Sequence, residues 1–95
     1  MRDYNLLDTL IAQVDATDKE ILFMLKRRMQ TVRKIAEYKK KNEIEHNIEE
    51  RESEVLGNLG NLAKQMKLRE MFVQEIYEII LDESKKIQEE IIAKE

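Results

Sequence analysis

The chain contains no cysteine, no proline and no tryptophan, and only one histidine and two glycines. Without cysteine there is no disulfide framework, no thiolate nucleophile and no Cys-based zinc site. A lone His46 argues against a metal centre built from several imidazoles. Missing proline and scarce glycine remove the usual helix breakers. No apolar run approaches the roughly 18 residues that a membrane span needs. The first residues, MRDYNLLDTL, carry acids and polar groups where a secretory leader would have an apolar core. The 17 basic and 20 acidic side chains leave a net charge of −3, so no global excess of cations favours nucleic acid or anionic lipid. The expectation is a soluble, cytoplasmic protein with no nucleic-acid or membrane partner.

What is present points to long helices. The 95 residues fit one domain, 1–95, and are 39% charged and 42% hydrophobic, rich in Glu, Lys, Ile and Leu. A monomer of this size buries only about 60–65% of its unfolded surface and would be marginal alone. No internal repeat or low-complexity stretch stands out. The lack of a linker-like tail favours a free-standing chain. The fold class expected is all-α, with a long first helix in a three-helix protomer.

From Asn5 to about Lys41 nothing interrupts a helical period. Leu7, Val14, Ile21 and Ile35 share one heptad position, and Leu10 with Met24 and Leu25 with Val32 fill neighbouring ones. Asn5 or Asp8 is a candidate cap. Such a helix runs roughly 50–55 Å, whereas a compact globule of this chain would be roughly 32 Å across. The overshooting stripe needs a partner, and a second copy of the chain is the simplest, so a homodimer is expected. KKKNEIEHNIEE is a polar connection with Asn42 and Asn47 as stop and start residues. A second segment, from about Ile48 to Met66, places Val55, Leu59, Leu62 and Met66 on one face. Gly57 and Gly60 fall inside it, and we read one helix through both rather than a turn at GNLGN. After a short break from Gln65 to Arg69, the third segment runs to Ala93 with Phe72, Val73, Ile76, Tyr77, Ile80, Ile87 and Ile91 as its stripe.

The informative residues are polar ones standing where each stripe calls for an apolar side chain. Arg28 takes the heptad position of Ile21 and Ile35, and Lys39 follows Leu25 and Val32 at steps of seven. The eleven residues between Arg28 and Lys39 are close to three turns, which puts both cations on one face. Asp18 joins that stripe. Arg51 stands one turn before Val55 with Glu52 beside it, and Ser84 and Gln88 continue the line of Val73, Tyr77 and Ile80. Two readings are open. Either Arg28 pairs with Asp18 or Glu52 while Lys39 snorkels to solvent, or the set forms a pocket for a polyanion. No His or Cys stands near these positions, Ser84 has no evident base, and no Gly-rich phosphate loop or Glu-x-x-His pattern occurs. Such equipment can bind and polarise but not attack, and it suits a substrate that rearranges its own bonds.

This ordered set resembles the all-helical chorismate mutase family. The likeness runs through DKEILFMLKRRM (Asp18, Arg28), AEYKKK (Lys39), EERESEVL (Arg51, Glu52) and IILDESKKIQ (Ser84, Gln88), and covers nearly the whole chain without a gap. It implies an intertwined helical homodimer with two shared active sites. The implied enzyme is an isomerase of the shikimate pathway and aromatic amino-acid biosynthesis that converts chorismate, a dicarboxylate, to prephenate with no cofactor, metal or covalent intermediate. By position, Arg28 would bind a substrate carboxylate with Ser84 and Arg51 assisting. Lys39 and Gln88 would donate to the ether oxygen, and Glu52 would accept from the ring hydroxyl. Three positions depart from the family. Ile11 stands where an Arg normally reaches across the dimer, Ile48 where an acid is common, and Lys85 where the family is usually apolar. Reduced activity is therefore expected. An isochorismate-pyruvate lyase and a catalytically silent helical dimer are the alternatives.

Overall fold

The computed structural model describes residues 4–45 and 48–94. They form three helices and, among the described residues, no strand: α1 (Tyr4–Lys41), α2 (Ile48–Gln65) and α3 (Glu70–Ala93). The all-α class and all three segments follow the hydropathy period. Within α1, the hydroxyls of Thr9, Thr17 and Thr31 donate to carbonyls four residues back at 2.8, 2.9 and 3.0 Å, which satisfies them without leaving the helix. One expectation fails at the start. α1 already runs at Tyr4, so Asn5 and Asp8 are interior residues rather than caps, since a cap flanks the helix and lies outside its first turn. His46, Asn47 and the Ile48 side chain lie outside the described residues.

The chain divides into two compact units, Met1–Thr31 and Val32–Glu95. In the first, every described side chain from Asn5 to Met24 is exposed. The stripe residues Leu7, Leu10, Val14, Ile21 and Met24 are all among the exposed large hydrophobics. Burial begins only at Leu25, Arg28 and Met29, each half-buried. The second unit holds the core: Val32, Ala36, Ala63, Leu81, Ile87 and Ile91. There α2 packs on α3.

The buried face of α2 keeps Val55 and Leu59 of the expected stripe but not Leu62 and Met66. Val55, Leu56 and Leu59 are half-buried and Gly60 and Ala63 are buried, whereas Leu62 and Met66 are 47% and 62% exposed. Small residues set this face. A Cβ at Gly60 would stand 2.9 Å from both Gln74 Nε2 and Glu70 Oε1, so the bare backbone there leaves room for two side chains of α3 to lie across it. Nothing lies within 4 Å of a Cβ at Gly57. Both glycines are carried inside one helix, as read from the sequence. On α3 the buried line is Leu81, Ser84, Ile87 and Ile91, while Phe72 and Ile76 of the expected stripe are exposed.

Two helix ends share one device. The Ile44 amide donates to Lys39 O at 2.9 Å and the Glu43 amide to Lys40 O at 3.4 Å; Leu68 donates to Ala63 O at 2.9 Å and Lys67 to Lys64 O at 3.1 Å. Both are the paired six-to-one and five-to-two closure that ends a helix on a left-handed residue. That residue is Glu43 (φ 53°) in one and Lys67 (φ 60°) in the other. Asn42 joins the first as the expected stop residue, its Nδ2 donating to Tyr38 O at 2.8 Å.

Candidate functional site

The end of α1 brings the first cation into the second unit. Lys39 stands in the last turn of α1 with its carbonyl held by the Ile44 amide, and its side chain is half-buried. It makes no ion pair or hydrogen bond through its side chain among the described residues. The next residue crosses to α3: Lys40 Nζ donates to Ile91 O at 2.9 Å. This contact ties the end of α1 to the last turn of α3 through the length of one lysine side chain. Lys39 and Gln88 are thereby one residue and one turn, respectively, from a shared hydrogen bond. Periodicity does not signal Lys40, because a run of three lysines at a helix end already has a sufficient explanation in the helix dipole.

Ser84 is the buried polar residue of α3, 4% exposed. Its Oγ donates to Ile80 O at 2.8 Å. The hydroxyl has one proton, so donating to a ligand requires the O–H to rotate away from its own helix. Gln88, one turn on, is half-buried and its amide has no protein partner among the described residues. Glu52 on α2 is half-buried. Arg51 is turned outward: its side chain is 71% exposed and pairs with Glu54 at 3.6 Å one turn ahead, a contact worth little in water. Arg28, half-buried, belongs to the first unit, as does the exposed Asp18. Lys39, Glu52, Ser84 and Gln88 are thus withdrawn from solvent in one unit, and Arg51 is not.

Chemically, the second unit offers an ammonium, a neutral amide, a hydroxyl and a carboxylate, three of them capable of donating hydrogen bonds to oxygen. Among the described residues no group of three or more His, Cys, Asp or Glu could hold a metal ion. No helix among the described residues is long and apolar enough to cross a membrane.

The family model for chorismate mutase type II matches residues 10–89, which takes in each of these side chains. The chain belongs to this family. Neither the curated proteins nor the solved structures yield a match.

Proposed function

We propose that the protein is a chorismate mutase that acts as a homodimer in the cytoplasm, within aromatic amino-acid biosynthesis. The match of the family over residues 10–89 carries this reading. The withdrawal of Lys39, Glu52, Ser84 and Gln88 from solvent supports it. The reaction is an intramolecular rearrangement: the ether C–O bond breaks as a C–C bond forms, with no proton or electron exchanged. What the protein must supply is a held conformation and donors at the oxygen that gains charge. In this proposal the Lys39 ammonium and the Gln88 amide donate to that oxygen. The Arg28 guanidinium grips a carboxylate in bidentate fashion, Ser84 and Arg51 assist, and Glu52 accepts from the ring hydroxyl.

The homodimer has its own support. The stripe of α1 from Leu7 to Met24 is exposed. A groove of about 370 Å³ on this helix is lined by Leu10, Gln13, Val14, Thr17 and Asp18. Four of these stand at i, i+3, i+4 and i+7, the spacing of the holes into which a facing helix sets its side chains. Sedimentation of the purified chain checks the mass; a monomer at micromolar concentration would count against the dimer.

Turnover of chorismate by the protein, beside an Ile11→Arg variant, tests the activity. Prephenate formation by the parent, raised by the variant, is the expected result. Failure of the parent to bind or convert chorismate at millimolar concentration sinks it. Pyruvate release from isochorismate would instead mark the lyase. Ile11 itself favours one other reading, a silent helical dimer. In that case Lys39→Ala would leave stability unchanged or raise it, because it removes a cation on a half-buried residue that no ligand meets.

A further inference from the structure

We infer that Lys85 is an additional substrate-binding residue, its ammonium taking a carboxylate of the substrate in place of the cation that position 11 lacks. The inference rests on the chorismate mutase reading. Lys85 follows the buried Ser84 and precedes Gln88 by three residues, and Leu81, Ser84, Lys85 and Gln88 occupy i, i+3, i+4 and i+7 of α3. They therefore form one contiguous patch of the helix surface. All four are buried or half-buried.

The neighbouring lysine makes the contrast. Lys86 is exposed and pairs with Asp82 at 3.3 Å, one turn back. Lys85 has Asp82 three residues behind it and Glu89 four ahead. It nevertheless makes no ion pair or hydrogen bond among the described residues. Its stem lies on the buried face and its charge is neutralised by neither acid. Lys39 and Lys85 are thus two half-buried lysines of the second unit, neither paired to a carboxylate among the described residues. A lysine of this kind buries its stem and holds its ammonium at the edge of the apolar face, where it can meet an anionic group. A dicarboxylate substrate supplies two negative charges. Ile11 contributes no cation toward them, and Lys85 supplies one from α3.

Four proteins test this: Lys85→Leu, Lys85→Gln, Ile11→Arg, and Lys85→Leu combined with Ile11→Arg, each measured for chorismate turnover beside the parent. Replacing a half-buried charge by Leu keeps the helix and the apolar face, so folding is preserved. The expected result is a loss of tenfold or more in kcat/KM for both Lys85 variants, chiefly through KM. In the Ile11→Arg background, Lys85→Leu is expected to cost less than threefold, because a second cation then meets the same charge. A parent that turns over chorismate while Lys85→Leu stays within threefold of it overturns the inference and leaves the enzyme reading standing. A loss in Lys85→Leu but not in Lys85→Gln also overturns it, since polarity rather than charge would then suffice. A parent that neither binds nor converts chorismate overturns both.

Discussion

Lys40 and Ile91 are joined across 51 positions of sequence by one hydrogen bond, Lys40 Nζ to Ile91 O at 2.9 Å. The acceptor is a carbonyl of the last turn of α3, which has no basic residue of its own there. A lysine from α1 supplies the positive charge that a helix C-terminus favours. The contact is partly exposed, so its worth is modest, about 0.5–1 kcal/mol. Lys40→Met is expected to lower the melting temperature by about 2–6 °C at fixed protein concentration, and Lys40→Arg to restore most of it. An unchanged melting temperature in Lys40→Met would mean that the Lys94 amide, which donates to the same carbonyl at 3.3 Å, and water satisfy Ile91 O without the lysine.

The two glycines of α2 are expected to respond differently to alanine. At Gly57 a Cβ meets nothing within 4 Å, so Gly57→Ala should gain the helix-propensity difference of about 0.5–1 kcal/mol. At Gly60 the new methyl stands 2.9 Å from the ends of the Gln74 and Glu70 side chains. Both ends are flexible and can swing away, but moving Glu70 disturbs its ion pair with Lys64 at 3.0 Å. Gly60→Ala should therefore gain less than Gly57→Ala or lose outright. Urea denaturation of the two variants side by side decides it, and an equal gain in both would show that α3 has room to spare.

The three helices were legible because two signals agree: apolar residues recur at helical spacing, and no proline interrupts them. The polar members of the pattern were legible for the same reason, since Ser84 and Gln88 interrupt a line of apolar residues on α3. What escaped carries little hydropathy. Ala36, Gly60 and Ala63 are buried, yet small side chains barely register in an apolar stripe, and so the stripe of Val55, Leu59, Leu62 and Met66 misses Gly60 and Ala63 and takes in two exposed residues, Leu62 and Met66. Leu81 was passed over in favour of the adjacent Ile80, although the face of α3 is wide enough to take both. Lys40 escaped because its partner is remote in sequence. The outward turn of Arg51 escaped because spacing places a residue on a face without saying where a long side chain ends.

Glu43 and Lys67 hold left-handed backbone, at φ 53° and 60°, where the turn that closes a helix usually has glycine. A side chain there costs about 1 kcal/mol relative to glycine. Glu43→Gly and Lys67→Gly are each expected to raise stability, by less than that amount because glycine also gains freedom in the unfolded chain. Both together should be additive, since they lie at opposite ends of α2 and share no partner. A loss of stability in either would show that its side chain has a role beyond the backbone.

Ser84→Ala separates a binding role from a folding one. The hydroxyl is buried but bonded to Ile80 O in its own helix, and alanine is the better helix former, by about 0.5 kcal/mol. The melting temperature should hold or rise. If Ser84 also serves a substrate carboxylate, KM for chorismate should rise several-fold in the same protein. A fall in melting temperature with KM unchanged would assign Ser84 to packing alone.

Gln88→Glu tests how charge is met at the ether oxygen. The proposal has a neutral amide donating there, and an amide does not titrate, so this side chain imposes no acid requirement on the parent. A glutamate at the same position donates only when protonated; ionised, it repels the oxygen as negative charge develops. An unperturbed glutamate has a pKa of about 4.3, and partial burial would raise it while a nearby cation would lower it. In either case the direction is the same. The variant should gain kcat as pH falls through the pKa of the new carboxyl and lose it as pH rises, while the parent shows no such gain. The rise should be read between pH 4 and pH 8 with circular dichroism confirming that both proteins stay folded. A variant with the parent's pH profile would mean that Gln88 does not face the oxygen, and Lys39 would then be left as its sole donor in the second unit.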